Sequence, residues 1–459
     1  MPRARSEYLC RECGYRTPRP LGRCPECDAW DTFDAVAQRP VPQASARPTH
    51  LNGAHSQARA LRLDEIDAQG FARLSVPMEE FSRVLGGGIV QGSLVLIGGD
   101  PGVGKSTLLT QVADAVAETA GPVLYISGEE SLAQVGLRSR RMGTGSTDVL
   151  FASETSLEAI VDLIQAHGAR LAVIDSIQSV MASDVEALPG TVSQLRECTL
   201  RLLQLAKTQG VALFLIGHVT KEGAIAGPKV LEHMVDAVLY LEGERFNAYR
   251  LLRSTKNRFG PTHEVGVFEM RGSGLVEVPN PSAVFLAERG EPAPGSVVTV
   301  TLEGTRPILV EVQALASRST LAVPRRTANG LDTNRLHLIA AVLARRSGLP
   351  LHDQDVYLNV VGGLRIDEPA ADLAAALAII SSVRDRSLAG DLVALGEIGL
   401  SGELRSVGQL EQRLREAAKL GFSRALVPRT PGAKALLDLA GLEVLTVSTL
   451  REATRVLGL

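Results

Sequence analysis

The sequence has no long apolar run and no excess of basic residues. None of its hydrophobic stretches approaches the ~20 residues that a membrane-spanning helix needs. The first residues lack the apolar segment of a secretory signal peptide, so we expect a cytoplasmic protein without a membrane partner. The formal net charge is −3 over 459 residues. This charge excludes a uniformly basic surface, and any nucleic-acid contact must therefore come from a local patch or from assembly.

Cysteine is scarce, and four of the five cysteines lie within the first 27 residues. That distribution argues against a disulfide framework and favours a metal site. The pairs Cys10-x-x-Cys13 and Cys24-x-x-Cys27 are separated by ten residues, a spacing that predicts a tetrahedral Zn²⁺ site. Four thiolates leave no open position for catalysis, so the zinc would be structural. Such a ribbon can bind nucleic acid or another part of the protein, and the sequence leaves both open. Trp30 is expected to pack beside the metal.

A complete nucleotide-binding loop is the strongest motif that is present. An apolar run at 94–97, predicted to be a buried strand, precedes the loop, and helical spacing at 108–113 follows it. In this context such a loop binds the phosphates of a nucleoside triphosphate. The predicted binding residues are Gly99, Asp100, Pro101, Gly102, Val103, Gly104, Lys105, Ser106 and Thr107.

The residue types in this loop explain its chemistry. Glycines let the backbone N–H groups converge on the phosphates, and the N-terminus of the following helix adds partial positive charge. Lys105 can reach the β- and γ-phosphates, and the Ser106 hydroxyl can ligate Mg²⁺. We therefore expect a nucleoside triphosphate and Mg²⁺ as cofactors.

Beyond the loop, apolar strands alternate with helical segments, which predicts an α/β fold with its site at the carboxyl ends of parallel strands. Asp175 ends one strand and is expected to hold Mg²⁺ through water; capping of the next turn is the alternative. Glu129 or Glu130 ends the strand expected beside the loop strand, and either can deprotonate the attacking water or be a solvated acid. His218, after another strand, either senses the γ-phosphate or simply packs in the fold.

The four-cysteine segment, the nucleotide-binding core and the pentapeptide KNRFG at 256–260 together resemble the bacterial RadA (Sms) family of DNA repair proteins. The resemblance covers essentially the whole chain. It implies an α/β fold with a RecA-like P-loop ATPase core, an N-terminal four-Cys zinc ribbon and a C-terminal Lon-protease-like domain. The implied domains are a zinc ribbon at 1–33, a flexible linker at 34–60, the RecA-like ATPase domain at 61–285 and the Lon-protease-like domain at 286–459.

The same resemblance assigns roles to individual residues. It favours Glu129 over Glu130 as the general base, and it makes His218 a polar sensor of the γ-phosphate. Lys256 and Arg258 belong to the family pentapeptide, and in RecA-like rings residues of this kind reach across a subunit interface to the neighbour's nucleotide.

The C-terminal region departs from a peptidase at both catalytic positions. Ala370 stands where Lon has its nucleophilic serine, and Glu411 stands where Lon has its lysine. A Ser–Lys mechanism needs a hydroxyl in contact with a neutral amine. We therefore expect a pseudo-protease that serves as a ring-forming or DNA-binding scaffold, and not a peptidase.

Together these features predict a DNA-dependent ATPase, a translocase or helicase that drives branch migration in homologous recombination and recombinational DNA repair. The resemblance implies ATP, Mg²⁺ and Zn²⁺ as cofactors and single-stranded and branched DNA as substrates, bound by loops at 176–190 and 219–229. It also implies a hexameric ring of identical subunits and a RecA-type recombinase as partner. Two alternatives are an ATP-dependent protease or unfoldase and a RecA-like signalling ATPase that binds proteins.

Overall fold

The computed structural model describes residues 7–13, 15–17, 19, 21–36, 72–217, 230–243, 248–287, 289–429 and 441–459. His218, the loop at 219–229 and most of the expected linker at 34–60 lie outside these residues. Among the described helices, none combines the length and the apolar character that a membrane crossing requires. The chain forms two compact units: the first comprises Met1–Leu241, Ser254–Pro261 and Gly272–Leu275, and the second comprises Glu242–Arg253, Thr262–Arg271 and Val276–Leu459.

The N-terminal segment is a small three-stranded antiparallel sheet in the order β2-β1-β3. This sheet is too small to bury a core of its own, which is typical of segments that depend on a bound metal. Its strands are β1 (Glu7–Cys10), β2 (Arg16–Thr17) and β3 (Phe33–Val36).

The rest of the first unit is organised by six parallel strands in the order β11-β6-β10-β9-β7-β8. Most of them are apolar along their whole length because helices cover both faces of a parallel sheet. A short antiparallel pair, β4 with β5, precedes them. The strands are β4 (Arg73–Leu74), β5 (Ile89–Val90), β6 (Leu94–Gly98), β7 (Val123–Ser127), β8 (Val149–Ser153), β9 (Leu171–Asp175), β10 (Ala212–Ile216) and β11 (Ala237–Glu242).

One expectation about this sheet was wrong. The strand that ends at Glu129, β7, was expected beside the loop strand β6, but β10 and β11 flank β6, and β7 lies between β9 and β8. The burial pattern gives a reason. Every residue of β10 is buried, whereas in β8 only the first residue is buried and the others are half-buried or exposed. The strand β10 therefore fits the interior of the sheet and β8 fits its edge.

Helices connect these strands as the alternating pattern predicts. Local signals fix their ends: Ser131 and Gln134 form a reciprocal capping box at the start of α3, and Gly210 adopts a left-handed conformation at the end of α5. The helices are α1 (Glu79–Leu85), α2 (Lys105–Ala120), α3 (Leu132–Met142), α4 (Leu157–Ala166) and α5 (Val192–Gln209).

Between residues 241 and 276 the chain passes repeatedly from one unit to the other. The N-terminal part of β12 pairs antiparallel with β13, with Tyr249 opposite Glu269 and Arg253 opposite Val265. The strands of this segment are β12 (Tyr249–Asn257), β13 (Val265–Arg271) and β14 (Gly274–Glu277).

The second unit has a seven-stranded mixed sheet in the order β17-β18-β16-β15-β19-β22-β23, and a separate pair, β20 with β21. The strands are β15 (Ser296–Glu303), β16 (Arg306–Arg318), β17 (Arg326–Asn329), β18 (Gln354–Val360), β19 (Leu392–Ala394), β20 (Glu397–Ile398), β21 (Leu404–Arg405), β22 (Arg424–Pro428) and β23 (Glu443–Val447).

One helix, α8, is apolar on all sides and lies at the centre of the larger core of this unit. A helix without a polar face has to be surrounded by other elements, and residues 373–380 are accordingly buried. The helices are α6 (Pro281–Ala287), α7 (Thr333–Arg346), α8 (Asp372–Arg384), α9 (Leu410–Lys419) and α10 (Leu450–Val456).

Candidate functional site

The nucleotide-binding loop runs from the end of β6 to the first residue of α2, as predicted. Gly99 has a φ of 149°, and a Cβ atom on this residue would collide with the carbonyl oxygen of Leu241. Gly104 precedes the helix with a φ of 116°, in the region that glycine adopts far more readily than other residues. The loop therefore requires glycine at these positions for its backbone path.

Lys105 begins α2 and is 4% exposed. Its Nζ donates hydrogen bonds to the carbonyl oxygens of Gly99 at 2.8 Å and Asp100 at 3.0 Å. Burial lowers the pKa of Lys105, although the negative charges of Asp175, Asp100 and Glu129 act in the opposite direction. The ammonium group is thus held over the loop, where a phosphate oxygen can replace a carbonyl oxygen as its partner.

Asp175 lies at the carboxyl end of β9 and is 5% exposed. It pairs in register with Ser127, the last residue of the adjacent strand β7. The Tyr125 Oη donates a 2.7 Å hydrogen bond to Asp175 Oδ2. Burial, followed by the negative charge of Asp175, raises the pKa of Tyr125 well above its ordinary value. The phenol therefore stays protonated and remains a donor to this carboxylate.

The two glutamates after β7 have different partners. The Ser176 hydroxyl donates a hydrogen bond to Glu129 Oε1, and Glu129 is exposed. Glu130 instead forms an ion pair with Arg138, whose side chain is 11% exposed, and its backbone N–H donates to the Ser127 hydroxyl at 3.0 Å. The Glu130 carboxylate is therefore already neutralised by a cation, whereas a hydroxyl orients Glu129.

The basic pair of the pentapeptide is also asymmetric. Lys256 Nζ donates to the carbonyl oxygens of Glu232 at 2.7 Å, Val235 at 2.8 Å and His233 at 3.2 Å. Burial, together with the positive charge of Arg258, lowers the pKa of Lys256. Arg258 is 55% exposed, and among the described residues its side chain contacts Asp236, with 3.4 Å between Nη1 and Oδ1. Arg258 is therefore the freer of the two cations.

Asp236 connects this pentapeptide to the loop strand and was not singled out from the sequence. It is 2% exposed. Its Oδ2 accepts hydrogen bonds from the Leu94 N–H at 3.1 Å and from Lys207 Nζ at 2.7 Å, while its Oδ1 faces Arg258. Leu94 begins β6, so the carboxylate joins the pentapeptide to the strand that ends in the nucleotide-binding loop. In the sequence, the position of Asp236 just before an apolar run was the available sign of this role, because a charged residue that becomes buried needs partners.

The loop at 176–190 contains no lysine or arginine and carries two acids. Asp184 pairs with Arg201 at 2.6 Å. The buried Gln194 fixes the loop backbone, because its Nε2 donates to the carbonyl oxygens of Ala182, Val185 and Ala187 at 3.2, 3.0 and 3.1 Å. Any phosphate contact made by the loop's own residues would use backbone N–H groups or uncharged side chains.

The four N-terminal cysteines come together as their spacing predicts. The Sγ atoms of Cys10, Cys13, Cys24 and Cys27 all lie within 4.8 Å of one another, and two of the separations are 3.4 and 3.7 Å. Zinc bonds of about 2.3 Å in a tetrahedron place sulfurs about 3.8 Å apart. The cluster therefore fits Zn²⁺.

Two details surround this cluster. Burial raises the pKa of Cys10, but hydrogen bonds from the Thr32 hydroxyl and from backbone N–H groups outweigh it and bring the pKa to about 6. Trp30, which was expected to pack beside the metal, is 72% exposed, with the Arg23 guanidinium 5.9 Å from its ring centroid.

In the second unit, carboxylates flank the position where Lon has its serine, and each is matched with an arginine. Ala370 is buried. Glu368 accepts hydrogen bonds from both terminal nitrogens of the buried Arg413, at 2.7 and 2.6 Å. Asp372 pairs with Arg335, with 2.7 Å between Nε and Oδ1. We call Glu368, Ala370, Asp372, Arg335 and Arg413 the 368–372 cluster.

The expected lysine position contributes nothing to this cluster. Glu411 lies in the first turn of α9 and pairs at 2.6 Å with Arg415 on the same helix; both side chains are more than half exposed. The described part of the second unit thus has neither a hydroxyl at 370 nor an amine at 411.

Three family models match parts of the chain. The AAA domain matches residues 57–224, the rubredoxin metal binding domain matches 8–35, and subunit ChlI of Mg-chelatase matches 332–431. These matches confirm the predicted α/β fold with an ATPase core, a four-Cys zinc ribbon and a ChlI/Lon-like C-terminal domain.

Relatives match over almost the whole chain. This chain is 48% identical over 455 residues to the DNA repair protein RadA of Bacillus subtilis, and the alignment covers 99% of both chains. It is 50% identical over 450 residues to the DNA repair protein RadA of Streptococcus pyogenes serotype M1, which covers 98% of both. A crystal structure of a KaiC-like protein from Pyrococcus horikoshii aligns with 46% of this chain and 100% of its own, at 21% identity and a TM-score of 0.39.

Proposed function

The chain belongs to the family of the DNA repair protein RadA, and from this premise we propose that it is a DNA-dependent ATPase that works as a DNA motor in homologous recombination and recombinational DNA repair. The observation that carries the proposal is the arrangement of the first unit. The nucleotide-binding loop, Asp175 and Glu129 lie at the carboxyl ends of three parallel strands, β6, β9 and β7, of one sheet. This is the edge where such sheets bind ligands.

Each residue of this edge has a task in hydrolysis. The loop backbone and Lys105 bind the triphosphate of ATP. Ser106 and Asp175 would hold Mg²⁺, the latter through water, and the ion would supply positive charge to the phosphates. Glu129 accepts the proton of the attacking water, and the Ser176 hydroxyl orients Glu129 for that task. Glu130 is a poorer base because its charge is already paired with Arg138.

We propose that Lys256 and Arg258 complete the site of a neighbouring subunit in a ring, which we take to be hexameric. A cation at the γ-phosphate stabilises the charge that develops in the transition state. Within the part of the chain that the structure describes, Arg258 would give up its 3.4 Å contact with Asp236. Lys256 has to release three carbonyl oxygens, so its reach depends on a rearrangement at 232–235. The γ-phosphate sensor that we propose, His218, lies outside the described residues.

For the rest of the chain we propose binding and assembly roles within the predicted domains, 1–33, 34–60, 61–285 and 286–459. The loops at 176–190 and 219–229 would contact single-stranded and branched DNA without reading its sequence. The zinc ribbon, with the exposed Trp30, offers a surface to a RecA-type recombinase. The second unit would act as a scaffold and not as a peptidase, because its 368–372 cluster contains no nucleophile.

Hydrolysis by the full chain, measured with ATP and Mg²⁺ in the presence and absence of single-stranded DNA, tests this proposal. We expect DNA to stimulate turnover and electron microscopy of the DNA-bound assembly to reveal a closed six-fold ring with strand density in its pore. Equal turnover with and without DNA, together with no DNA binding, would refute the motor. Arg415→Ala, an exposed change in the second unit, serves as the matched control.

Action between subunits has its own test. Arg258→Ala subunits lack the cation, and Lys105→Ala subunits lack the nucleotide-binding amine. Neither turns over alone, but random mixing places an intact loop next to an intact arginine at about a quarter of the interfaces, because a ring of identical contacts is built head to tail. We expect about that fraction of wild-type turnover in mixed rings. No recovery in rings that demonstrably mix would contradict action in trans.

A further inference from the structure

Tyr125 places a phenol in the middle of a fully buried parallel strand. All five residues of β7 are buried, and the Tyr125 ring packs against Phe151 with 5.7 Å between centroids. An apolar residue would fill this position without the need for a polar partner. A buried phenol hydroxyl does need one, and here the partner is Asp175 Oδ2 at 2.7 Å.

The phenol also contacts the helix that carries the second proposed Mg²⁺ ligand. Thr110 is buried in α2, one turn after Ser106, and its side chain lies beside the Tyr125 hydroxyl. The Thr110 hydroxyl donates a 2.7 Å hydrogen bond to the carbonyl oxygen of Ser106. Tyr125 therefore lies between the start of α2, with Ser106, and the end of β9, with Asp175.

The relative position of Ser106 and Asp175 matters because the expected ion is Mg²⁺. Mg²⁺ is small and requires nearly ideal octahedral geometry at about 2.0–2.1 Å, and it keeps several waters when it binds. A carboxylate that rotates about its own axis would misplace the water that it holds. Because Tyr125 occupies Oδ2, the rotation of the Asp175 carboxylate is fixed relative to Ser106.

We propose that Tyr125 is a positioning residue that aligns Asp175 with Ser106 for the divalent cation of the nucleotide site. This inference rests on the proposed ATPase function and goes beyond it, since the nucleotide-binding motif and the family matches give Tyr125 no role. The phenol touches neither nucleotide nor ion; it acts through Asp175.

The test uses the full-length Tyr125→Phe variant, which keeps the ring and removes only the hydroxyl. Binding of a fluorescent ATP analogue is titrated with and without Mg²⁺, and turnover is measured across the same Mg²⁺ series. We expect binding of the analogue without Mg²⁺ to be unchanged. The Mg²⁺ concentration that gives half-maximal turnover should rise about ten-fold, which is the size expected for the loss of one hydrogen bond to a charged group. Saturating Mg²⁺ should restore turnover. Tyr357→Phe, in the second unit, is the control.

Several results would overturn the inference: an unchanged Mg²⁺ requirement, a loss of binding without Mg²⁺, or a fall in turnover that saturating Mg²⁺ does not restore. In an Asp175→Asn background, Tyr125→Phe should change the Mg²⁺ response no further, and a full additional effect would also contradict it. Failure of the proposed motor is distinguishable. If DNA leaves wild-type turnover unchanged while the Mg²⁺ requirement shifts as expected, the motor fails and this inference stands.

Discussion

The nucleotide site and the 368–372 cluster both place carboxylates beside the ends of buried elements, but they treat the negative charge in opposite ways. In the first unit, Asp175 accepts a hydrogen bond from the Tyr125 phenol and Glu129 accepts one from the Ser176 hydroxyl. In the second unit, Glu368 and Asp372 each face an arginine guanidinium.

The difference lies in the group that each carboxylate faces. A hydroxyl donor orients a carboxylate but leaves its charge available to a cation or a proton. A guanidinium bound through two nitrogens cancels that charge and fixes the geometry. The four acids therefore belong to two classes that residue type alone does not distinguish: Asp175 and Glu129 accept hydrogen bonds from hydroxyl groups, while Glu368 and Asp372 pair with arginines.

The largest expected effect comes from removing the cation of the nucleotide site. Lys105→Ala should lower ATP turnover on the order of a thousand-fold, because the site loses its charged donor to the phosphates. Turnover with saturating Mg²⁺ and DNA is the measurement. Lys419→Ala, an exposed lysine on α9, should leave turnover unchanged. Activity within ten-fold of wild type in Lys105→Ala would contradict the placement of the phosphates over this loop.

The same contrast exists within the first unit, between two adjacent acids. Glu129 accepts a hydrogen bond from a hydroxyl group, and Glu130 pairs with a guanidinium. Glu129→Gln should lower turnover about 10²–10⁴-fold, as expected for a general base, with nucleotide binding retained. Glu130→Gln should change turnover only a few-fold, because its charge is committed to Arg138. Single-turnover hydrolysis measures both. The reverse ranking would move the base to Glu130.

The outline of the fold was predictable because it depends on local patterns. The apolar runs, the glycine loop and the Cys-x-x-Cys pairs each act within a few residues, and the strand before the loop and the sulfur cluster lie where they were expected. The order of the sheet was not predictable, since β6, β7 and β10 are similar apolar runs and their pairing joins residues that are far apart in sequence. That is why β7 was wrongly placed beside β6.

The candidate site was likewise predictable only in part. The glycine loop and the strand-end acids were readable from the sequence, but the partners that distinguish these acids were not. Tyr125 and Ser176 reach their carboxylates from neighbouring segments, and Arg413 reaches Glu368 across 45 residues of sequence. Only the three-dimensional register reveals which acids face a hydroxyl group and which face a guanidinium.

A third prediction tests the structural side of the comparison. Arg413→Ala should destabilise the second unit by about 3–5 kcal/mol, because Glu368 would remain as a partly buried charge without its partner. Arg415→Ala, two residues along the same helix, should cost less than about 1 kcal/mol, because its pair with Glu411 is exposed. Thermal unfolding followed by circular dichroism measures both. Equal losses would mean that the Glu368–Arg413 pair contributes no more than a surface contact.

The smallest expected effect comes from returning the Lon residues to the second unit. Ala370→Ser combined with Glu411→Lys should produce no peptide hydrolysis in a casein assay, although both named groups are then present. The new lysine would lie on the exposed face of α9 beside Arg415, and the carboxylates next to residue 370 would still be held by Arg413 and Arg335. A buried serine without a partner should cost only about 1–3 kcal/mol, and ATP turnover should not change. Measurable proteolysis would mean that this cluster is a poised site, equivalent in kind to the nucleotide site, and the contrast between the two regions would be lost.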